Sequence, residues 1–238
     1  MNEIYQLSDD GKTLLEVLDK SITHAVIPEG VTTIGVNAFA HCDSLQSVHI
    51  PEGVKRIEDG AFEKCFSLQK INVPSSVNYI GESAFDCCAS LKSVYIPDSV
   101  TEIGYWAFIE CEALESVRLS ANITCINWGM FDSCKSLKHI ELHNNIDTID
   151  EDGFIGCESL QSIEIPASVT YIGCCAFSYC TSLCEIHVRI TDIEKCSINT
   201  GAFDNFDCDN CTLYVPEGRA EAYKSHRVFG KFKNIVEE

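Results

Sequence analysis

The sequence predicts a strand-dominated α/β protein, folded as a right-handed solenoid with one parallel sheet, an N-terminal hairpin cap and a C-terminal helical cap. Three observations support this prediction: a 23-residue period, columns of identical apolar residues within it, and prolines confined to one position of it. The period is visible where Ile27-Pro28-Glu29-Gly30-Val31 returns as Ile50-Pro51-Glu52-Gly53-Val54. Seven such units run without insertion, and an eighth, starting at Val188, is degenerate, with extra residues before Phe203.

The apolar columns predict a core that all the coils share. Burying one large apolar side chain contributes roughly 1.5–3 kcal/mol to folding stability. A single coil would leave its apolar faces exposed to solvent, so the stacked coils stabilise one another. Three columns carry this argument: Phe39, Phe62, Phe85, Phe108, Phe131, Phe154 and Phe177; Ile34, Ile57, Ile80, Ile103, Ile126, Ile149 and Ile172; and Leu45, Leu68, Leu91, Leu114, Leu137, Leu160 and Leu183.

The strand of each coil follows the leucine column. In the segment 45–50, Val48 and Ile50 alternate with the polar His49, which is the period-two pattern of a strand. Proline lacks an N–H and ends a strand, and all six prolines follow this segment: Pro28, Pro51, Pro74, Pro97, Pro166 and Pro216. Nine such strands, from about 24–27 to 212–215, would form the parallel sheet. Residues 31–34 predict a second, short extended piece, and residues 38–42 predict one turn of α-helix or 3₁₀-helix that closes the coil.

Both ends of the array show capping segments. Residues 5–7 and 14–17 predict a hairpin over the first coil. Residues 219–225 predict a helix, and apolar residues near it would seal the last coil: Tyr223, Val228, Phe229, Phe232 and Ile235. We therefore predict a single domain over residues 1–238, with an N-terminal cap (1–23), repeats (24–216) and a C-terminal cap (217–238).

Composition excludes several classes of partner. The formal charge is −19, from 36 acidic and 17 basic residues, which argues against binding nucleic acid or anionic membranes. No apolar run is long enough for membrane insertion. The N-terminal residues 1–7 show no basic or apolar region of a signal peptide. These features are compatible with a protein partner, including a basic one.

The repeat unit is represented by residues 96–117, which follow the pattern Ile-Pro-x-x-Val-x-x-Ile-Gly-x-x-Ala-Phe-x-x-Cys-x-x-Leu-x-x-Val. This pattern resembles the BspA-like (Treponema pallidum-type) leucine-rich repeat family. The resemblance covers roughly residues 24–216, and residues 213–218 are similar to the C-terminal cap of such proteins. It implies a leucine-rich repeat solenoid that binds proteins, and a bacterial surface or secreted protein that acts in adhesion. It implies no enzyme and no cofactor. The N-terminus and the many cysteines favour an alternative, an intracellular interaction scaffold.

The fifteen cysteines offer a third alternative, a metal or redox protein. Seven form a repeat column that predicts small buried groups donating weak S–H hydrogen bonds to the backbone: Cys42, Cys65, Cys88, Cys111, Cys134, Cys157 and Cys180. Cys208 and Cys211 have the spacing of a zinc half-site or a redox pair, but no second pair accompanies them. An ordinary loop is the competing interpretation, and the adjacent Cys174 and Cys175 are equally weak evidence for chemistry.

No catalytic constellation is visible. The seven histidines occupy variable repeat positions, and neither a Gly-x-Ser-x-Gly nor a His-Glu-x-x-His motif occurs. The acidic cluster of residues 147–152 lacks the spacing of a calcium loop, so we interpret it as a solvated surface.

Two surfaces remain as candidate binding sites. The first is the outer, concave face of the sheet, where aromatic, arginine, histidine and acidic side chains point outward, and aromatic residues and arginine are common in binding hot spots. We predict partner binding at Tyr95, Arg118, His139, Glu141 and His187. The competing interpretation is an ordinary solvated sheet face.

The second surface lies between the isoleucine and phenylalanine columns. Polar or small residues usually occupy it, but large apolar residues replace them in the fourth to sixth units, and both tryptophans of the chain are among them. An exposed apolar cluster on an acidic protein predicts partner binding or self-association, such as a homodimer. Its residues are Tyr105, Trp106, Ile109, Trp128 and Ile155. The alternative is that these rings pack locally.

Overall fold

The computed structural model describes residues 4–238, which form two compact units divided between Ile123 and Thr124. In each unit, parallel strands from successive coils lie along one face, which we call the front ladder. Most neighbours pair, but Lys70–Ile71 is not paired with Ser93–Tyr95, and His139–Ile140 is not paired with Ser162–Ile165. Paired residues are 23 positions apart, as in Tyr95 with Arg118 and Ile163 with Ile186, until the insertion in the eighth unit makes the offset 27, as in His187 with Tyr214. All nine predicted strands are confirmed: His24–Val26, Ser47–His49, Lys70–Ile71, Ser93–Tyr95 and Ser116–Arg118 in the first unit; His139–Ile140, Ser162–Ile165, Glu185–Val188 and Thr212–Val215 in the second. That the chain is one domain stays a prediction.

A second set of short strands lies on another side of each coil, where the sequence predicts a short extended piece. Each contains two residues, with the column isoleucine pointing into the core. Within each unit, neighbouring short strands pair in parallel with a 23-residue offset, except in the last pair, where the insertion makes Ser197 the partner of Tyr171. The strands are Thr33–Ile34, Arg56–Ile57, Tyr79–Ile80 and Glu102–Ile103 in the first unit, and Cys125–Ile126, Thr148–Ile149, Tyr171–Ile172 and Ser197–Ile198 in the second.

The segment around each phenylalanine differs from the predicted helical turn. Residues 38–42 form consecutive tight turns, because Asn37 and His41 have left-handed backbones, with φ of 56° and 60°. Their N–H groups therefore point to the next coil, where Asn37 N donates to Asp59 O and His41 N donates to Glu63 O. Alternate N–H groups close turns within the coil, as Ala40 N does to Asn37 O. Bonding between coils thus replaces the helical bonds that we expected.

The phenylalanine column is a continuous buried file within each unit. In the first unit the ring centres of Phe39, Phe62, Phe85 and Phe108 are 4.9, 5.4 and 5.1 Å apart in succession. In the second, the rings of Phe131, Phe154, Phe177 and Phe203 are 5.7, 5.6 and 5.2 Å apart. All are buried and stacked nearly parallel, with planes at 2° to 20°. Stacked aromatic pairs add about 0.5–1.5 kcal/mol beyond burial, so this file stabilises the coils against one another.

The column cysteines are buried, and five of them donate to the backbone of the preceding coil, as the sequence predicts: Cys65, Cys88, Cys111, Cys157 and Cys180. Cys65 Sγ lies 3.2 Å from the carbonyl oxygen of Phe39, and Cys180 Sγ lies 3.1 Å from that of Phe154. Burial raises the pKa of the Cys180 thiol to about 12 and that of Cys42 to about 11. These thiols therefore stay protonated at neutral pH and act as packing groups.

The N-terminal cap is the predicted hairpin. Tyr5–Leu7 and Thr13–Val17 pair antiparallel, and Thr13–Val17 also pairs in parallel with the first short strand. The hairpin therefore extends the ladder of short strands as well as covering the first coil. The hydroxyl of Tyr5 accepts a hydrogen bond from Val26 N, 3.1 Å away, which ties the hairpin to the front ladder.

The C-terminal cap contains the predicted helix, observed as Ala220–Ser225, followed by a 3₁₀ turn at Phe229–Lys231. Four of the predicted sealing residues are buried, Tyr223, Val228, Phe229 and Phe232, and Ile235 is half-buried. The hydroxyl of Tyr223 donates to Ile190 O at 2.7 Å. The cap also adds a strand that the sequence analysis did not predict, Asn234–Glu237, which pairs in parallel with Thr212–Val215.

Candidate functional site

Tyr95 and Arg118 lie side by side on the front ladder of the first unit, as predicted. Both are exposed, Tyr95 by 57 %. The guanidinium of Arg118 forms two hydrogen bonds to the carboxylate of Asp98, at 2.6 and 3.0 Å, and a third to Ile96 O at 2.9 Å. The hydrogen bonds to Asp98 raise the pKa of Arg118 further. The arginine is therefore anchored within the chain and holds the tyrosine ring, which is the larger accessible group of the two.

In the second unit, three of the predicted residues line one groove on the front ladder. His139, Glu141 and His187 border a depression of about 420 Å³, together with Glu164 and His143. The exposed Glu141 makes no ion pair within residues 4–238. The groove thus presents imidazoles and carboxylates on a rigid floor, where Ile140 and Ile163 are buried. Such a site suits a basic or hydrogen-bonding segment of a partner.

One wall of the groove is held by a network that the sequence analysis missed. Arg189 donates to Glu164 at 2.8 Å and to Glu238 at 2.7 Å, and Glu238 also lies 2.8 Å from Nδ1 of His187. The His187 ring stacks on Tyr214 with a centre-to-centre distance of 4.5 Å. Because the eighth unit contains an insertion, counting by 23 does not align Tyr214 with His187, which hid this contact in the sequence.

Of the apolar residues predicted to form a contact surface, Tyr105, Trp106 and Ile109 lie in the first unit. Tyr105 is 47 % exposed, and its ring meets that of Trp106 edge-on at 6.2 Å. Trp106 is half-buried, as is Ile109. Trp106 also has a left-handed backbone, with φ of 53°, which is unfavourable for a bulky residue. The rings thus pack on each other while Tyr105 stays accessible, a mixture of the two alternatives that the sequence left open.

Of the predicted apolar residues, Trp128 and Ile155 lie in the second unit. Trp128 is 39 % exposed, and its indole N–H donates to Asp152 Oδ2 at 3.1 Å. Ile155 is half-buried. The hydrogen bond fixes the indole orientation and leaves part of its ring accessible.

The geometry of Cys208 and Cys211 gives little support to redox chemistry. Cys211 is buried, and burial raises the pKa of its thiol to about 12. Burial also raises the pKa of Cys208. A reactive cysteine needs the opposite shift, because the thiolate is the nucleophile. Across residues 4–238, no three His, Cys, Asp or Glu side chains are grouped so as to hold a metal ion.

The described part of the chain contains no helix long and apolar enough to span a membrane.

The sequence pattern described as "BspA type Leucine rich repeat region (6 copies)" matches residues 18–132 and 107–217. No curated protein matches the chain.

Several solved bacterial structures are similar. A leucine-rich repeat protein from Bacteroides ovatus is 26 % identical with a TM-score of 0.73, and the match covers 99 % of this chain and 68 % of that one. The Treponema pallidum leucine-rich repeat protein is 28 % identical with a TM-score of 0.69, over 77 % of this chain and 89 % of that one. A leucine-rich cell surface protein from Faecalibacterium prausnitzii is 32 % identical with a TM-score of 0.52, over 74 % of this chain and 62 % of that one.

Leucine-rich repeat solenoids generally serve as non-catalytic modules that bind proteins. The stacked 23-residue coils, the buried phenylalanine file and the matched repeats agree on one assignment. The chain belongs to the BspA-type leucine-rich repeat family.

Proposed function

We propose that this chain is an adhesion module that binds a protein on the host or cell surface through its front ladder. The observation that carries the proposal is the groove in the second unit, where His139, Glu141 and His187 converge. The Faecalibacterium relative is described as a cell surface protein, which supports the adhesive role over the alternative of an intracellular scaffold.

The chemistry of the groove indicates the kind of segment that it would accept. Glu141 supplies a carboxylate without an ion pair among the described residues, while Arg189 compensates Glu164. The chain as a whole carries a formal charge of −19. Complementary charges raise association rates and favour the correct register of a partner. A lysine- or arginine-bearing segment of a surface protein is therefore the expected occupant.

Tyr95 and Arg118 form a second contact area in the same proposal. Tyrosine contributes a large, rigid and amphipathic surface, and here Arg118 restricts its ring. The single substitution Tyr95→Ala should therefore weaken adhesion even when the groove residues are unchanged.

Binding of the purified protein to immobilised extracellular-matrix proteins and to whole cells tests the proposal. We expect Glu141→Gln to weaken binding by about tenfold, because one fully desolvated charge contact is worth about 1.4 kcal/mol or more. We also expect binding to weaken as salt is added. Glu158→Gln is the matched control, since Glu158 is an exposed carboxylate that does not line the groove.

Three results would overturn this assignment. The first is equal binding by wild type and Glu141→Gln, with Tyr95→Ala also unchanged. The second is binding only to a protein of the native cell's interior, which would favour the intracellular scaffold. The third is stoichiometric zinc in the purified protein that disappears when Cys208 and Cys211 are replaced by Ser, which would favour the metal-protein alternative.

A further inference from the structure

The chain contains two pairs of adjacent cysteines, and the contacts of their sulfur atoms differ between the pairs. In the first pair, Cys88 is a buried column residue whose thiol donates to Phe62 O at 3.3 Å. Its neighbour Cys87 donates instead to the Glu110 carboxylate at 3.1 Å. The two sulfur atoms of this pair are therefore committed to separate partners, one inside the core and one at the surface.

In the second pair, the sulfur atoms meet. Sγ of Cys174 lies 3.4 Å from Sγ of Cys175, and both residues are partly exposed. The left-handed backbone of Cys175, with φ of 54°, turns the chain here. Cys174 and Cys175 lie outside the column that fills the core, so neither thiol is needed for packing between coils.

The turn that carries this pair is fixed from both sides. Asp152 N donates to Cys174 O, and Cys175 N donates to Gly201 O, each at 3.0 Å. Gly201 also leaves room beside the pair, since a Cβ at that position would lie 3.2 Å from Sγ of Cys174. The two thiols are thus presented together by a rigid backbone, with little ordering left to occur on binding.

From this geometry we infer that Cys174 and Cys175 form a vicinal dithiol site that chelates a thiophilic trivalent ion, and that monosubstituted trivalent arsenic is its best-fitting occupant. Bonds from sulfur to a soft ion are about 2.3 Å long, which places two sulfurs on one ion about 3.5–3.8 Å apart. That separation is close to the one observed. The inference is independent of the adhesive role.

The number of ligands selects the class of ion. Structural zinc requires about four protein ligands, and within the described residues no third His, Cys, Asp or Glu joins the pair. An arsenic atom that already carries one organic group needs only two sulfur ligands. The reaction forms two As–S bonds and breaks the arsenic–oxygen bond, and the oxygen leaves as water with the two thiol protons. Neither sulfur nor arsenic changes its oxidation state.

The protonation state also favours this reaction over alkylation. The shared hydrogen bond with Cys175, followed by burial, raises the pKa of the Cys174 thiol to about 11. Alkylation needs a thiolate and should be slow at this residue. Arsenical exchange consumes the S–H protons, so a protonated thiol is a competent reactant.

Phenylarsine oxide tests the inference. The reduced full-length protein is freed of reductant, treated with one equivalent of the reagent under native conditions, and measured as the intact mass and by peptide mapping. We expect one adduct per chain, with one water lost, that maps to the peptide containing residues 174 and 175. It should survive a monothiol wash and be removed by a dithiol.

Cys174→Ser and Cys175→Ser should each reduce retention at least tenfold, whereas Cys87→Ser, at the other adjacent pair, should not change it. An adduct on any other pair of cysteines, an absence of any adduct, or equal retention in Cys174→Ser would each overturn the inference. Mapping on the wild-type protein keeps the test decisive even if a serine variant folds poorly.

Discussion

The guanidinium carbon of Arg118 lies 4.9 Å from the centre of the Tyr95 ring, one coil away on the front ladder. Both side chains are exposed, so solvent screens the interaction. A cation over an exposed aromatic ring contributes about 0.5–1 kcal/mol. A double-mutant cycle with Tyr95→Leu and Arg118→Met, followed by urea unfolding, should give a coupling energy in that range. A coupling energy of zero would show that the ring and the guanidinium are neighbours without an energetic link.

The buried phenylalanine file predicts a strong dependence of stability on each ring. Phe85 is fully buried between Phe62 and Phe108, whereas Phe66 is 42 % exposed. Phe85→Ala should lower the free energy of unfolding by about 3–5 kcal/mol, because it removes buried area and leaves a cavity. Phe66→Ala is the control and should change it by about 1 kcal/mol or less. Denaturant unfolding measures both, and similar losses for the two variants would contradict the role of the file.

The file was predictable because a fixed period determines which residues stack. The same reasoning placed the nine front strands, while local turn and helix patterns outside the repeats predicted the hairpin and the sealing residues of the C-terminal cap. It did not predict the turns around His41, because the equivalent positions hold Lys64, Glu110 and Tyr179, which are not typical turn residues. There, hydrogen bonds to the next coil impose a left-handed backbone on residues of many types.

The sequence also did not predict which way the polar side chains of a column point. The ion pair of Arg118 with Asp98 joins residues that are not 23 apart, so the period gives no indication of it. The period separates the two adjacent-cysteine pairs, because Cys88 is a column residue, but it does not show that Cys174 and Cys175 direct their sulfurs toward each other. The period therefore fixes the position of each residue on the coil, while the contacts of polar side chains depend on neighbours in adjoining coils.

Burial and high thiol pKa predict that the column cysteines are unreactive in the folded protein. Cys180 is buried with a pKa of about 12, whereas Cys184 is exposed. In a time course of iodoacetamide labelling at pH 8, followed by peptide mapping, Cys184 should be modified first and the column cysteines only after denaturant is added. The variant Cys184→Ser should lose the fast phase. Column cysteines labelled as fast as Cys184 would refute their burial.

Asp86 predicts a pH-dependent contribution to stability. Burial raises its pKa, the nearby Glu63 and Glu110 add to the effect, and Lys64 and a hydrogen bond with Cys87 oppose it. Because the folded pKa is above the unfolded one, ionisation of Asp86 destabilises the fold at pH 7, and the penalty disappears as the pH falls through the folded pKa toward the unfolded value.

Asp86→Asn should therefore increase the free energy of unfolding at pH 7, with a gain that shrinks toward pH 4. Glu63→Gln is the control: Glu63 occupies the same position one coil earlier and forms an ion pair with Lys64, so its replacement should bring no gain. Urea unfolding at a series of pH values measures both variants. A gain for Asp86→Asn that is constant with pH would mean that the effect is steric rather than electrostatic.

The apolar surface predicts self-association that depends on both tryptophans. Trp106→Ser removes a ring and places serine at a left-handed position that Ser83 already occupies one coil earlier, with φ of 52°. Relief of backbone strain should offset the lost packing, so we expect the free energy of unfolding to change by about 1 kcal/mol or less. Trp128→Ser loses a hydrogen bond to Asp152 and a partly exposed ring, with a similarly small cost.

Sedimentation velocity over a range of concentrations should show a wild-type dimer that either substitution weakens. Tyr179→Ser is the matched control, because Tyr179 is a 51 % exposed aromatic residue, also with a left-handed backbone, outside this surface. Exposed apolar area contributes to association roughly in proportion to the area removed from water, so losing a large ring should shift the equilibrium more than it shifts folding. A wild-type protein that remains monomeric at high concentration would exclude the homodimer and leave this surface to a different partner.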